Sequence, residues 1–469
     1  MNEKSEYHNN VVTLASGDTP QDTIRKGFDE LGGISNLINE NDIVFIKLNL
    51  RIPELFPVNF NFDSLTQLIN LCKIAGAQKI IIGSYADEYI EGKAFEQLLG
   101  FNSSLETLGV DFQVFQDNMN IEYVSKTVNE QSVKIPKVII DSTKLIVLNQ
   151  IAVHPLFQID LSILNSYSMV SPKLQKITKL ERQGKDYLFL DQFKQDLISN
   201  ILEIYNIRKP DIVINDLFYL IEQAGPYIFK DSKLKKTNMM VLGTDALAVD
   251  IITLSLLNLD YQENPLISEA IFLKMGISDI KNIKIVGEPL EESKFNIKLP
   301  ISKLEDIEVL NTIIKSGSYC SGCFEAAYRF LNFLKTNMIK DLKYLGNQYL
   351  LLGDNPQEPA SNENIILFGD CAIKSTGTRS FRKILVEKKS ILDLLRLILK
   401  KKKNLNKKPK LKERINKQIL ELPGCPPNLY HILHHFIEYY GKNNCPNGIF
   451  YLDLLKTYIE DETFEGALK

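Results

Sequence analysis

The chain has 469 residues, 44% of them hydrophobic and 24% charged, and a formal net charge of −3. These values suit two or three globular domains and exclude a collagen-like or wholly disordered chain. No run of about eighteen apolar residues occurs, which argues against a membrane-spanning helix, and the polar first residues lack the apolar core of a secretion signal. A cytoplasmic, reducing setting is therefore expected, where clustered cysteines serve metal binding or catalysis rather than disulfides.

In chain order, residues 42–49 (Asp-Ile-Val-Phe-Ile-Lys-Leu-Asn) predict a strand. Residues 64–76 have helical spacing, with Leu65, Leu68, Ile69 and Cys72 on one face. A strand over 79–83 and a helix over 94–99 follow, then strands over 144–149 and 211–215. Residues 240–245 lead into a helix over 246–257, and a strand at 282–287 closes the region. Apolar strand-like runs alternating with amphipathic helices predict an α/β domain over 1–300 with a largely parallel sheet.

The polar, proline-containing stretch 288–305 marks a boundary, and a smaller α/β domain is expected over 305–469. Its expected helices lie near 326–334 and 429–440, its strands at 348–353 and 364–369. A basic insert at 382–417 carries fifteen Lys and Arg against three Asp and Glu, a local +12 that leaves −15 for the remainder. Such a block reads as a solvated excursion or a docking arm for an acidic redox partner. It lacks the interleaved aromatics that stack on bases, which argues against nucleic acid.

Four of the six cysteines have glycine- or proline-rich contexts: Cys320 and Cys323 in Tyr-Cys-Ser-Gly-Cys-Phe-Glu-Ala, Cys371 in Phe-Gly-Asp-Cys-Ala, and Cys425 in Pro-Gly-Cys-Pro-Pro. Four soft thiolates select an iron–sulfur cluster or zinc over hard cations. Structural Cys₄ zinc sites usually use two close pairs. One pair and two singletons fit an iron–sulfur cluster better, with zinc as the alternative. Cys445 is a spare candidate ligand, and Cys72 is expected in the core.

These three motifs, in this order, resemble the proximal cluster site of the small subunit of nickel–iron hydrogenases and the related subunit of respiratory complex I. The resemblance implies one [4Fe–4S] cluster on a flavodoxin-like domain, with Cys320, Cys323, Cys371 and Cys425 as its ligands. Glu325 matches the acidic residue of the first motif. Here the Cys323–Cys371 interval is short and the Cys371–Cys425 interval is lengthened by the insert.

Residues of about 40–290 resemble the DUF362 family, whose members often carry ferredoxin-type cluster modules at the C-terminus. The resemblance rests on Ile46-Lys47-Leu48-Asn49-Leu50, on Ala75-Gly76-Ala77-Gln78-Lys79, on the strand ending at Val153-His154, on Lys209-Pro210-Asp211 with Asn215-Asp216, and above all on Leu242-Gly243-Thr244-Asp245 through Asp250. It implies no particular activity. Lys47, Asn49, His154, Asn215, Asp216, Glu222 and Asp245 all fall at or just after predicted strand ends, where open α/β sheets bind ligands. They are expected to converge on a pocket for a small anionic molecule. Asp245 and Asp250 have the competing reading of helix caps, and His154 that of a structural histidine.

No dinucleotide fingerprint, Walker loop or nucleophile elbow occurs. His431, His434 and His435 share a helix without an HExxH frame and read as surface residues. The expectation is an iron–sulfur protein with an electron-transfer role, catalytic residues unassigned. The alternative is a non-catalytic binding or scaffold protein stapled by a structural Cys₄ metal.

Overall fold

The structure, a computed structural model, describes residues 10–52, 54, 56–86, 100–116, 119–171, 190–361, 364–382 and 419–456. The helix expected at 94–99 and the basic insert beyond Arg382 lie outside them. The described residues form two compact units, the first up to Ser302 together with Leu455 and Lys456, the second of Leu190 and Lys303–Leu454.

In the first unit the strands are β1 (Val11–Ser16), β2 (Ile43–Leu48), β3 (Lys79–Tyr85), β4 (Asp111–Phe115), β5 (Tyr123–Val128), β6 (Gln131–Pro136), β7 (Lys144–His154), β8 (Gln158–Ile159), β9 (Ile212–Glu222), β10 (Lys233–Lys236), β11 (Met239–Gly243) and β12 (Lys284–Gly287). The sheet order is β12-β1-β11-β9-β7-β2-β3-β4, with β10 on β9 and β8 on β7, while β5 and β6 form a separate hairpin. From β9 to β4 every neighbouring pair is parallel, as is β1 with β12; β11 runs antiparallel to both its neighbours.

The central strands are apolar runs because both faces are covered. One face packs Val44, Ile46, Ile82 and Ile214 against helices α1 (Pro20–Glu30) and α2 (Phe62–Ile74) through Ile24, Phe28, Leu65, Leu68 and Ile69. The other packs Phe45, Ile81 and Leu145 with Met169 and Ile204. Full burial of each such side chain stabilises the fold by about 1.5–3 kcal/mol. Thr19 caps α1 ahead of Pro20, and Asn61 caps α2, so each helix starts where an orphan N–H finds a side-chain oxygen.

Two strands run further than the sequence predicts. β7 and β9 stay paired through Asn149↔Asn215 and Gln150↔Asp216, then resume after a bulge at Ala152↔Ile221. The asparagines expected at strand ends therefore lie inside the sheet and are buried.

The second unit holds β13 (Thr312–Ser316), β14 (Gln348–Leu352), β15 (Ile365–Phe368) and β16 (Ile419–Leu422), all parallel and in consecutive order. This is the expected parallel α/β layer. A flavodoxin-like sheet runs 2-1-3-4-5, so the strand order differs from that expectation. Phe330 stacks on Phe368 with centroids 5.7 Å apart, and Leu351, Ile365, Leu367 and Phe381 fill a core. Among the described residues no helix is long and apolar enough to cross a membrane.

Candidate functional site

In the first unit the central strands carry a buried polar network. Lys47, next to last in β2, is fully buried. Its ammonium donates to Ser168 Oγ at 2.6 Å, to Ser84 Oγ at 3.4 Å and to Asn165 Oδ1. Asn165, at the end of the short helix α3 (Ser162–Asn165), donates to Asn149 Oδ1 at 2.9 Å. Asn149 donates to Asn215 Oδ1 at 3.1 Å, and Asn215 donates to Asp250 Oδ1 at 2.9 Å. Beyond helix α4 (Leu190–Ile207), Asp250 sits within helix α5 (Ala246–Leu256). Its carboxylate also accepts from Ser162 N, Ser162 Oγ and Ile163 N at 2.8–3.1 Å. Every amide in the series points its donor toward the carboxylate, so the dipoles reinforce one another.

A second set borders the first. Asn49 Oδ1 accepts from Gln150 N at 2.7 Å, and Asp216 accepts from Ser64 Oγ at 2.6 Å and Phe218 N at 2.9 Å. Arg51 pairs with Asp160 and donates to Gln150 O at 3.1 Å. Burial pushes the carboxyls of Asp216 and Asp250 up to about 6 against the pull of their donors.

Lys47 and Asn215 thus belong to one series, Asn49 borders it through Gln150 N, and Asp216, the residue after Asn215 in β9, turns instead to Ser64 of α2; the other three candidates make separate contacts. His154 ends β7 and takes Leu156 N and Phe157 N on Nδ1 at 3.2 and 3.3 Å, closing the turn to β8. Glu222 ends β9 and accepts from Lys298 N at 3.2 Å. Asp245 caps α5 through Ala248 N and accepts from Ile277 N. The antiparallel course of β11 pairs Gly243 with Val213, so the chain reaches Asp245 beyond the amino end of β9, whereas His154 and Glu222 lie at carboxyl ends. The seven were expected at strand ends of a largely parallel sheet; Asp245 instead follows β11, a strand antiparallel to both its neighbours. The network members absent from that expectation are Asn149, Asn165, Ser84, Ser168 and Asp250. Asp250 had a legible signal, being the lone charge between Ala246 and Leu256.

In the second unit three loops at the carboxyl ends of β13, β15 and β16 carry the four cysteines. Cys320 caps helix α6 (Ser321–Asn337), its sulfur accepting from Cys323 N at 3.5 Å. A sulfur there faces the positive end of the helix dipole. Cys371 lies in helix α7 (Gly369–Ser375), whose first residue has φ +86°, and Cys425 follows Gly424 at φ +131°. Both backbone conformations favour glycine. At Gly369 a Cβ would stand 3.7 Å from Cys323 Sγ and 3.6 Å from Gly424 O, which shows how closely the loops approach. Cys425 opens the turn into helix α8 (Leu429–Tyr440), which Asn428 caps.

The thiols feel one another. Cys323 is pushed well up, first by its hydrogen bond to Cys320 and then by burial and by the charges of Cys320, Cys425 and Cys371. Cys371 is pushed up by loss of solvent, then by Cys320, Asp354 and Asp370. Four thiolates this close repel one another unless a cationic centre compensates them. Among the described residues no group of three or more His, Cys, Asp or Glu side chains has the arrangement to hold a metal ion. A single zinc draws its sulfurs to roughly 2.3 Å; a four-iron cluster takes each thiolate on a different iron, so its thiolates stand further apart.

Cys320 and Cys425 are half-buried, Cys323 is buried and Cys371 is exposed. Cys445, before helix α9 (Pro446–Lys456), is buried instead near Asp341, and burial pushes its thiol up to about 12. Cys72 is buried on the core face of α2, its thiol also pushed up to about 12.

None of the curated proteins compared with the chain matches it. Among solved structures, that of the lactate racemase apoprotein from Thermoanaerobacterium thermosaccharolyticum aligns with 75% of this chain and 70% of that one, at 12% identity and a TM-score of 0.35. Residues 44–255 match the family described as a domain of unknown function, DUF362. The chain therefore carries a DUF362 domain that begins in β2, ends in α5 and contains the whole network from Lys47 to Asp250.

Proposed function

We propose that this is an iron–sulfur protein with an electron-transfer role, in which Cys320, Cys323, Cys371 and Cys425 hold one [4Fe–4S] cluster. The observation that carries the reading is the meeting of three cysteine-bearing loops at the carboxyl edge of a parallel sheet: Cys323 N lies 3.5 Å from Cys320 Sγ, a Cβ on Gly369 would stand 3.7 Å from Cys323 Sγ, and Asp370 N lies 3.0 Å from Gly424 O. When bound, such a cluster accepts and releases single electrons. The chain's own part is to hold the thiolates, to exclude water around Cys323, and to leave Cys371 at the surface, where a partner can approach. The basic segment 382–417 would then receive an acidic redox partner.

A pocket for a small anionic molecule in the first unit has less support. The ammonium of Lys47 has three protons, and Ser84, Asn165 and Ser168 take them. A ligand would have to displace one of these oxygens.

Anaerobic purification with iron and sulfide quantitation, followed by EPR after dithionite, tests the main reading. About four irons per chain and a reduced-cluster signal, both lost in Cys371→Ala, are expected for a [4Fe–4S] protein. Stoichiometric zinc would leave the alternative of a structural metal in a binding protein, and its removal would then unfold the second unit.

A further inference from the structure

The third and fourth cysteine loops are tied together by one side chain. The parallel ladder of β15 and β16 pairs Phe368 with Leu422. Two residues further along each strand come Asp370 and Gly424, and three further come Cys371 and Cys425. Asp370 lies in the first turn of α7, past the end of β15. Asp370 N donates to Gly424 O at 3.0 Å, and Gly424 N donates back to Asp370 Oδ1 at 2.9 Å. This reciprocal pair is not a rung of the parallel ladder; it joins the two loops just beyond the last strand residues, directly before both cysteines. Asp370 directly precedes Cys371 in the chain.

We propose that Asp370 is a positioning residue for the cysteine site: its carboxylate locks the Cys371 loop to the Cys425 loop and sets a fixed negative charge beside the bound cluster. The proposal rests on the iron–sulfur reading above. Two consequences follow from its two parts. Without the clasp, Gly424 N–H loses its acceptor and the two loops lose their register, so the site should hold metal less well. Without the charge, addition of an electron to the cluster meets less repulsion, so the reduction potential should rise.

The experiment uses the full chain, purified anaerobically, as wild type, Asp370→Ala and Asp370→Asn. Asparagine keeps an acceptor oxygen for Gly424 N–H and removes the charge; alanine removes both. Bound iron and acid-labile sulfide are measured for all three, and the midpoint potential of the loaded proteins is read by EPR-monitored redox titration. The expected result is an at least twofold loss of iron and sulfide in Asp370→Ala. Asp370→Asn should keep wild-type loading with a potential shifted to more positive values. Wild-type iron and sulfide in Asp370→Ala, or a wild-type potential in Asp370→Asn, overturns the role of Asp370 while leaving the cluster reading intact. A wild-type protein that binds no iron and sulfide overturns the cluster reading and the role of Asp370 with it.

Discussion

Lys47 and Asp250 lie on different layers of the first unit, a strand and a covering helix, yet they are joined through Asn165, Asn149 and Asn215 with every amide turned the same way. A buried ammonium and a buried carboxylate each cost several kcal/mol unless compensated. Here each charge is solvated by a neighbouring dipole, and the dipoles are aligned by the charges at both ends.

That arrangement couples two residues that do not touch. A double-mutant cycle of Lys47→Met and Asp250→Asn, read by urea unfolding, should show a coupling of about 1 kcal/mol or more. Each single change should cost about 2–5 kcal/mol, because each leaves buried partners unmatched. Additive effects, within about 0.5 kcal/mol, would show that the series transmits nothing.

The buried carboxyls set a pH dependence. Asp216 and Asp250 have an ordinary value of 3.8 and are raised by burial to about 6 in the folded chain. Between these values the folded state holds protons that the unfolded state has released. Stability therefore falls as pH rises through this window and is lower at pH 7 than at pH 4, by about 1–3 kcal/mol per group. Burial raises Asp245 in the same direction. Urea midpoints at pH 5 and 7.5 test this: the pH 5 value should be higher, and Asp250→Asn should shrink the difference. A midpoint that rises with pH would contradict it.

Thiol accessibility separates the cysteines. In metal-free, reduced, folded protein, iodoacetamide should modify Cys371 first, since it is the exposed one. Cys72, Cys323 and Cys445 should be protected until the chain unfolds, because they are buried. Peptide mass mapping over time reads the order. Early labelling of Cys323 would contradict the close approach of the three loops.

Gly424→Ala should destabilise the protein by about 1–3 kcal/mol. The position has φ +131°, and an added Cβ would stand 2.8 Å from Pro427 Cα, a backbone atom that cannot swing aside. Thermal melting measures the loss; a melting temperature equal to wild type would mean that this turn rearranges freely.

The sequence by itself determined the α/β class and the local contexts of the cysteines, because these follow from short-range patterns. Apolar runs at 42–49 and 79–83 read as buried strands, found at 43–48 and 79–85, and glycines beside Cys371 and Cys425 serve tight turns. It also singled out Lys47 and Asn215, which the structure joins through Asn165 and Asn149. Only the tertiary structure decided the direction of β11, because residue type carries little information on whether a strand runs parallel or antiparallel. It alone decided that Asp250, on a covering helix, completes the series from Lys47, and that Asp370 reaches Gly424 across 54 residues of chain. Such contacts arise from the register of distant segments, which is fixed by the packing of the whole sheet and is written in no local stretch of sequence.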